Sequence, residues 1–186
     1  MTAPMTESTR PAVVVSRCLL GERVRYDGGH KHAPLVIEEL AGRFAIIPVC
    51  PEVEAGLPVP REPIDFHGDP RAPAAVCKHS RLNVADLLRE WSRRWLAGLA
   101  ASETPVRGFF LKHNSPSCAA VTRKPVFDLH GRPRGEAFGI FAHLALRAFP
   151  GAAFGDEHSL STSRGREDFM ALAQSCFHRL TQERRP

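Results

Sequence analysis

Ala45 to Pro63 reads AIIPVCPEVEAGLPVPREP. An apolar run rich in Ile and Val stops at Cys50-Pro51-Glu52, and a loop punctuated by Pro and Gly follows. That pattern reads as a buried strand delivering a thiol and a carboxylate to its own C-terminal end. In open α/β sheets the groups that touch ligands sit just beyond the carboxyl ends of the strands. The same arrangement recurs twice: Val13-Val14-Val15-Ser16-Arg17 runs into Cys18, and Arg107 to Lys112 runs into His113-Asn114-Ser115-Pro116-Ser117-Cys118. The expected architecture is therefore α/β, a Rossmann-like open parallel sheet flanked by helices with the site at the C-terminal ends of the strands.

A chain of 186 residues suits one domain, since a chain this long buries roughly 70% of its unfolded surface without cross-links. Five cysteines is an odd count, and no N-terminal segment pairs a basic start with a long apolar stretch. A reducing cytoplasmic location is expected, where grouped cysteines serve as metal ligands or catalytic groups more often than as disulfides. No run approaches the roughly 18 apolar residues of a membrane span. The formal charge of +5 permits an anionic partner. Its Arg and Lys residues are nevertheless scattered and not interleaved with aromatics, which argues against nucleic acid.

Met1 to Pro11 has almost nothing apolar and reads as a flexible N-terminal lead, residues 1–11. The main domain is expected over 12–158, with a C-terminal helical extension over 159–186. After Cys18, the Gly pair and charges of Leu19 to His32 mark a loop, in which Tyr26-Asp27-Gly28 reads as an ordinary turn. Ala33 to Gly42 is expected as a short helix stopped by Gly42, and Phe44 to Val49 as the second strand. Six prolines between Pro51 and Pro73 make regular structure improbable there, so a functional or covering loop is expected. From Asn83 the text NVADLLREWSRRWLAGLAAS places Val84, Leu87, Leu88, Trp91, Trp95 and Leu99 at helical steps, with the tryptophans as core anchors. Phe127 to Gly135 reads as an excursion turning at His130-Gly131. Ala137 to Phe149 has a helical pattern with Phe138, Phe141, Ala142, Ala145 and Leu146 on one side. A last helix over Gly165 to Leu180 carries Phe169, Leu172, Ala173, Cys176 and Leu180 on one face.

Parallel strands end along one edge of a sheet, so Cys18, Cys50 and Cys118 can converge although about thirty and about seventy residues separate them. Cys77, in a loop, and Cys176, on the stripe of the last helix, lack this context. Three thiolates suit either a zinc with an open position or an iron–sulfur cluster with one uncapped iron. Local spacing does not decide between them, because no C-x-x-C signature is present. A carboxylate such as Glu52 beside a metal-bound substrate suits a general base or acid, and Ser115 or Ser117 suits a hydrogen-bond donor or proton relay. The His30-Lys31-His32 pair reads as a solvated loop before it reads as a zinc site.

Ser16–Gly29 (SRCLLGERVRYDGG), Pro48–Pro63 (PVCPEVEAGLPVPREP) and Leu111–Cys118 (LKHNSPSC), in that order, resemble the three signature blocks of the TudS-like thiouracil desulfidase family. The resemblance spans roughly Val13 to Glu157. It implies an α/β protein with a [4Fe-4S] cluster on three cysteines, which match Cys18, Cys50 and Cys118, and one open iron that binds the sulfur of a thiocarbonyl. It further implies that Glu52 and a serine, Ser117 before Ser115, assist replacement of that sulfur by water. Tyr26 and Asp27 of the first block are the implied substrate-binding residues, and the implied partner is a small thiolated pyrimidine. The chain departs from the pattern at Ala119-Ala120, where a glycine is expected. Two readings compete with this hydrolytic, non-redox desulfidase: a non-catalytic iron–sulfur or sulfide-carrying module, and a zinc hydrolase on the same cysteines.

Overall fold

The computed structural model describes residues 10–182, with side chains to residue 175. Most of the expected lead and the side chains of Cys176 and Leu180 lie outside the described residues. In chain order the elements are β1 (Ala12–Ser16), α1 (Pro34–Ala41), β2 (Ala45–Val49), α2 (Pro51–Glu54), β3 (Ile64–His67), β4 (Ala74–Cys77), α3 (Ala85–Ala101), β5 (Val106–Phe110), β6 (Lys124–Phe127), β7 (Pro133–Ala137), α4 (Ile140–Ala148), β8 (Ala153–Gly155) and α5 (Ser163–Gln182).

The main sheet has the order β2-β1-β5-β8 and is parallel throughout. The central strand β1 is apolar and buried along its whole length because both of its faces are covered, as is usual in parallel sheets. Alternation along β1 sorts the side chains. Val13 and Val15 join α1, α5 and Phe110 on one face, whereas Val14 joins Phe109 and the α3–α4 layer on the other. The chain leaves β1 toward β2 on one side and returns beside β1 as β5 on the other, so strand order reverses at β1. Such a reversal opens a crevice beyond the strand ends.

Local sequence accounts for the helices around this sheet. Pro34 sits in the first turn of α1, where its missing N–H costs nothing, and Gly42 ends the helix. In α3 the Asn83 side chain accepts from the Ala85 amide at 3.0 Å, and the inner stripe runs through Leu88, Trp91, Trp95 and Leu96. Trp91 and Trp95 stack at 5.9 Å and Trp95 meets Phe141 edge-on, so both are core anchors as expected. Leu87 and Leu172, expected on buried faces, are instead 43% and 51% exposed. Phe169 lies against Gly108 and Gly155, where an added Cβ would come within 2.9 and 3.0 Å of its ring. Together with Leu160, Met170 and Ala173, it places the start of the 159–186 segment in the same core as β1.

The proline-rich segment departs from its expected irregularity. Residues 51–54 form one helical turn, and β3 and β4 belong to a second sheet of order β4-β3-β6-β7. Proline suppresses regular structure only where it interrupts it, and here Pro51 opens α2 while the other prolines of the segment fall between the elements. Cys77, expected in a loop, is the last residue of β4 and is buried beside Ile64, Val84 and Leu88. The excursion at His130-Gly131 is the turn of the β6–β7 hairpin. β7 claims residues up to Ala137, so α4 begins only at Ile140.

Candidate active site

Cys50 follows β2 directly and Cys18 lies two residues past β1. The main-sheet register sets Ser16 opposite Val49 and Val15 opposite Phe110, so these two ends and the 111–118 loop share one edge. A cavity of about 330 Å³ opens there, lined by all three cysteines together with Glu52, Ser115 and Tyr26.

Two features shape the third cysteine loop. The Ser115 hydroxyl accepts from the amides of Ser117 and Cys118, both at 3.1 Å, and thereby closes the turn. From outside, the start of α4 clamps the loop, with Gly139 donating to Ala119 O and the Ile140 and Ala142 amides donating to Pro116 O and Ser117 O. A Cβ at Gly139 would lie 2.5 Å from the carbonyl of Ser117 and 2.6 Å from the amide of Ala119. The close backbone approach expected of a glycine at Ala119-Ala120 is made instead by Gly139, arriving from the other side.

Glu52 is buried in the single turn of α2. Its Oε1 accepts from Ser117 Oγ at 3.0 Å and from Ser115 Oγ at 3.3 Å. Its Oε2 is gripped by Arg61, at 2.8 Å from Nε and 2.6 Å from the second guanidinium nitrogen. Arg61 also donates to Val24 O at 3.0 Å, which ties the first cysteine loop to the proline-rich one. A carboxylate this enclosed needs a cationic partner.

The three thiols share one environment. Burial, with Cys50 adding to it, pushes Cys18 up to about 12. Burial likewise raises Cys50 and Cys118, and proximity to the other two thiols contributes at Cys118. Thiols that sense one another across a cavity, in a site that penalises their separate ionisation, fit a cationic metal centre that takes the place of their protons. Among the described residues no three His, Cys, Asp or Glu side chains converge as the ligands of one ion do. A cubane cluster instead takes each thiolate on a different iron, so its ligands stand apart.

Tyr26 is 43% exposed at the rim, below the Arg25 guanidinium at 5.5 Å. Asp27 does not line the cavity. Its carboxylate grips Arg25 at 2.9 and 3.1 Å, and that bond holds it down to about 2. Asp27 therefore meets the cavity only through Arg25, which does line it. His30 and His32 are exposed, with ring centroids 6.4 Å apart, and sit outside the lining.

Several residues at the site escaped the sequence reading. Ser16 Oγ accepts from the Lys112 amide at 3.0 Å and sits beside the Cys118 thiol. Lys112 and the His113 amide are both held by Glu157. His113 lines the cavity, its ring tilted against that of His158 at 4.2 Å between centroids. Its Nδ1 faces Asp156 Oδ2 at 3.5 Å, and neither buried atom has a hydrogen-bond partner among the described residues. The available signal was adjacency: His113 and Lys112 stand inside LKHNSPSC, and Arg61 is the first cation after the carboxylate that needs one.

Comparison with known proteins places the fold and the family. A solved structure titled as the [4Fe-4S]-dependent thiouracil desulfidase TudS superposes with a TM-score of 0.59 at 30% identity, over 81% of this chain and 93% of that one. An uncharacterized protein of Bacillus subtilis strain 168, YbbK, is 33% identical over 113 residues, which is 58% of this chain and 73% of that protein. The sequence model of the 2-thiouracil desulfurase family matches residues 13–157, and the chain belongs to that family.

Proposed function

We propose that the protein is a [4Fe-4S]-dependent desulfidase that hydrolyses the C=S bond of a 2-thiouracil-like pyrimidine to the oxo compound and sulfide. The observation that carries this reading is the meeting of a doubly anchored carboxylate, Glu52, with three thiols in one small cavity. Cys18, Cys50 and Cys118 would hold the cluster and leave one iron open. When bound, the cluster supplies a soft Lewis acid that polarises the thiocarbonyl and accepts its sulfur.

The remaining work falls to the chain. Glu52 takes the proton of the attacking water, and because the Arg61 cation pairs with Oε2 the proton goes to Oε1, which faces only neutral hydroxyls. The water oxygen stays on carbon, the C–S bonding pair leaves with sulfur as sulfide, and no net electron transfer occurs. Ser117, entirely buried behind Glu52, fixes Oε1 and keeps its own lone pairs free to relay a proton. Ser115 faces the cavity, but its hydroxyl already donates once and accepts twice, which makes it a brace for the Cys118 loop. Tyr26 and Arg25 form the rim against which a planar ring rests, with Asp27 fixing Arg25. Free thiols gathered in this way suit a reducing compartment, so a cytoplasmic location belongs to the same reading.

Iron and acid-labile sulfide per chain after anaerobic reconstitution are the first test, with Cys18→Ala, Cys50→Ala and Cys118→Ala prepared alongside. About four of each per chain, lost in every variant, is the expected result. Stoichiometric zinc in iron-free protein would remove this mechanism. Glu52→Gln with its cluster intact should then lose at least about 100-fold in thiouracil turnover. Undiminished turnover would reduce Glu52 to a bystander and overturn this mechanism, whereas cluster-loaded wild-type protein without turnover would favour a sulfide-carrying module.

A further inference from the structure

A second cavity, of about 280 Å³, lies between α3, α4 and the second sheet and shares no lining residue with the first. Five arginines that are scattered in sequence meet there: Arg71 from the β3–β4 loop, Arg89 and Arg93 from α3, Arg123 ahead of β6, and Arg147 from α4. His143 adds an imidazole, and Glu136 is the lining's one carboxylate.

Their arrangement is ordered. Arg89 and Arg93 are one helical turn apart, as are His143 and Arg147 on the packed neighbour α4, so two rows of donors flank one concavity. Arg89 bonds Asp86 at 2.8 Å and Pro73 O at 2.7 Å, which pins the loop carrying Arg71 to α3. Arg123 lies over the Phe138 ring at 4.4 Å, a contact that fixes its guanidinium plane at the cavity wall. Among the described residues the side chains of Arg71, Arg93 and Arg147 have no ion-pair partner. Like charges around a concave wall focus their field on its centre, and guanidinium forks match phosphate oxygens in pairs.

We propose that this cavity binds a small phosphorylated ligand, its phosphate oxygens shared between the arginines of α3, α4 and the β3–β4 loop. The size favours a ligand of nucleotide scale or smaller, such as a nucleoside diphosphate or pyrophosphate itself. The site is separate from the cysteine cavity and does not depend on the activity proposed there.

Calorimetry of the full, cluster-loaded chain with inorganic pyrophosphate and, separately, ADP tests this. Saturable binding at one site per chain, weakening as salt rises, is expected, and tighter ADP than pyrophosphate would add a contact to the base. The Arg93→Glu/Arg147→Glu double variant should bind about 100-fold more weakly, near tenfold per reversed charge, while iron content and thiouracil turnover stay unchanged. A control of equal charge change at two residues that line neither cavity, Lys78→Glu/Arg164→Glu, should retain binding. Absence of saturation at millimolar ligand, equal loss in both double variants, or displacement of bound pyrophosphate by thiouracil would each overturn the proposal. So would self-association in sedimentation that the Arg93/Arg147 reversal abolishes, since a second copy would then be the occupant.

Discussion

At the scale of single residues, the two serines around Glu52 are chemically alike and positioned for different tasks. The Ser115 hydroxyl uses its donor and both acceptor sites, two of them on the backbone of the Cys118 loop, whereas among the described residues the Ser117 hydroxyl makes one bond, to Oε1. Ser115→Ala is therefore expected to lower iron content, because the loop loses the brace that presents Cys118. Ser117→Ala should keep its cluster and lose about ten- to 100-fold in turnover, the worth of one hydrogen bond to a charged group. Iron analysis beside thiouracil turnover separates the two, and equal iron loss in both variants would contradict the division. Arg61 belongs to the same group. Its removal would leave a buried carboxylate without a cation, the kind of change that costs about 3 kcal/mol or more in folding stability.

At the scale of elements, the site is assembled by pieces that do not carry the chemistry. The start of α4 closes over the third cysteine loop because Gly139 has no side chain to hold it away. Gly139→Ala would drive a Cβ into the backbone of Ser117 and Ala119, atoms that cannot swing aside. A loss of about 1–3 kcal/mol in stability is expected, read as a lowered unfolding midpoint in denaturant, with reduced iron retention. A wild-type midpoint in this variant would mean that α4 and the loop separate easily. The single turn α2 shows the same economy. Pro51 starts it, Glu54 accepts from the Cys50 amide at 2.7 Å, and Glu52 turns inward between them.

At the scale of the whole molecule, the sheet edge brings three thiols together in a place that penalises their charge, and this links folding to pH. In cluster-free protein, Cys18 holds its proton up to about 12, against 9.0 for the unstructured thiol. The folded form therefore binds a proton that the unfolded chain has released. The stabilisation is complete below pH 9 and is lost as pH rises through 12. Urea unfolding of cluster-free protein across that window should give falling midpoints, and Cys18→Ala should flatten the fall. Stability that rises over the same window would show that the thiols are not buried together.

How much of this was legible in the chain follows from the range of the interactions concerned. The sequence by itself determined the parallel α/β sheet, since apolar runs ending at Cys18 and Cys50 and helices with a 3.6-residue stripe are local patterns. Resemblance of the three blocks supplied the family and named the residues that line one cavity, Asp27 and Ser117 excepted. Tertiary structure alone decided what depends on distant partners. The second sheet was hidden because β3, β4, β6 and β7 are short and flanked or interrupted by proline, so their pairing rather than their composition makes them strands. Arg61 on Glu52, Asp156 facing His113, Gly139 against Ser117 and the gathering of five arginines all join segments far apart in sequence. Periodicity reports which face of an element is buried, but only the closed fold sets which side chains share a cavity.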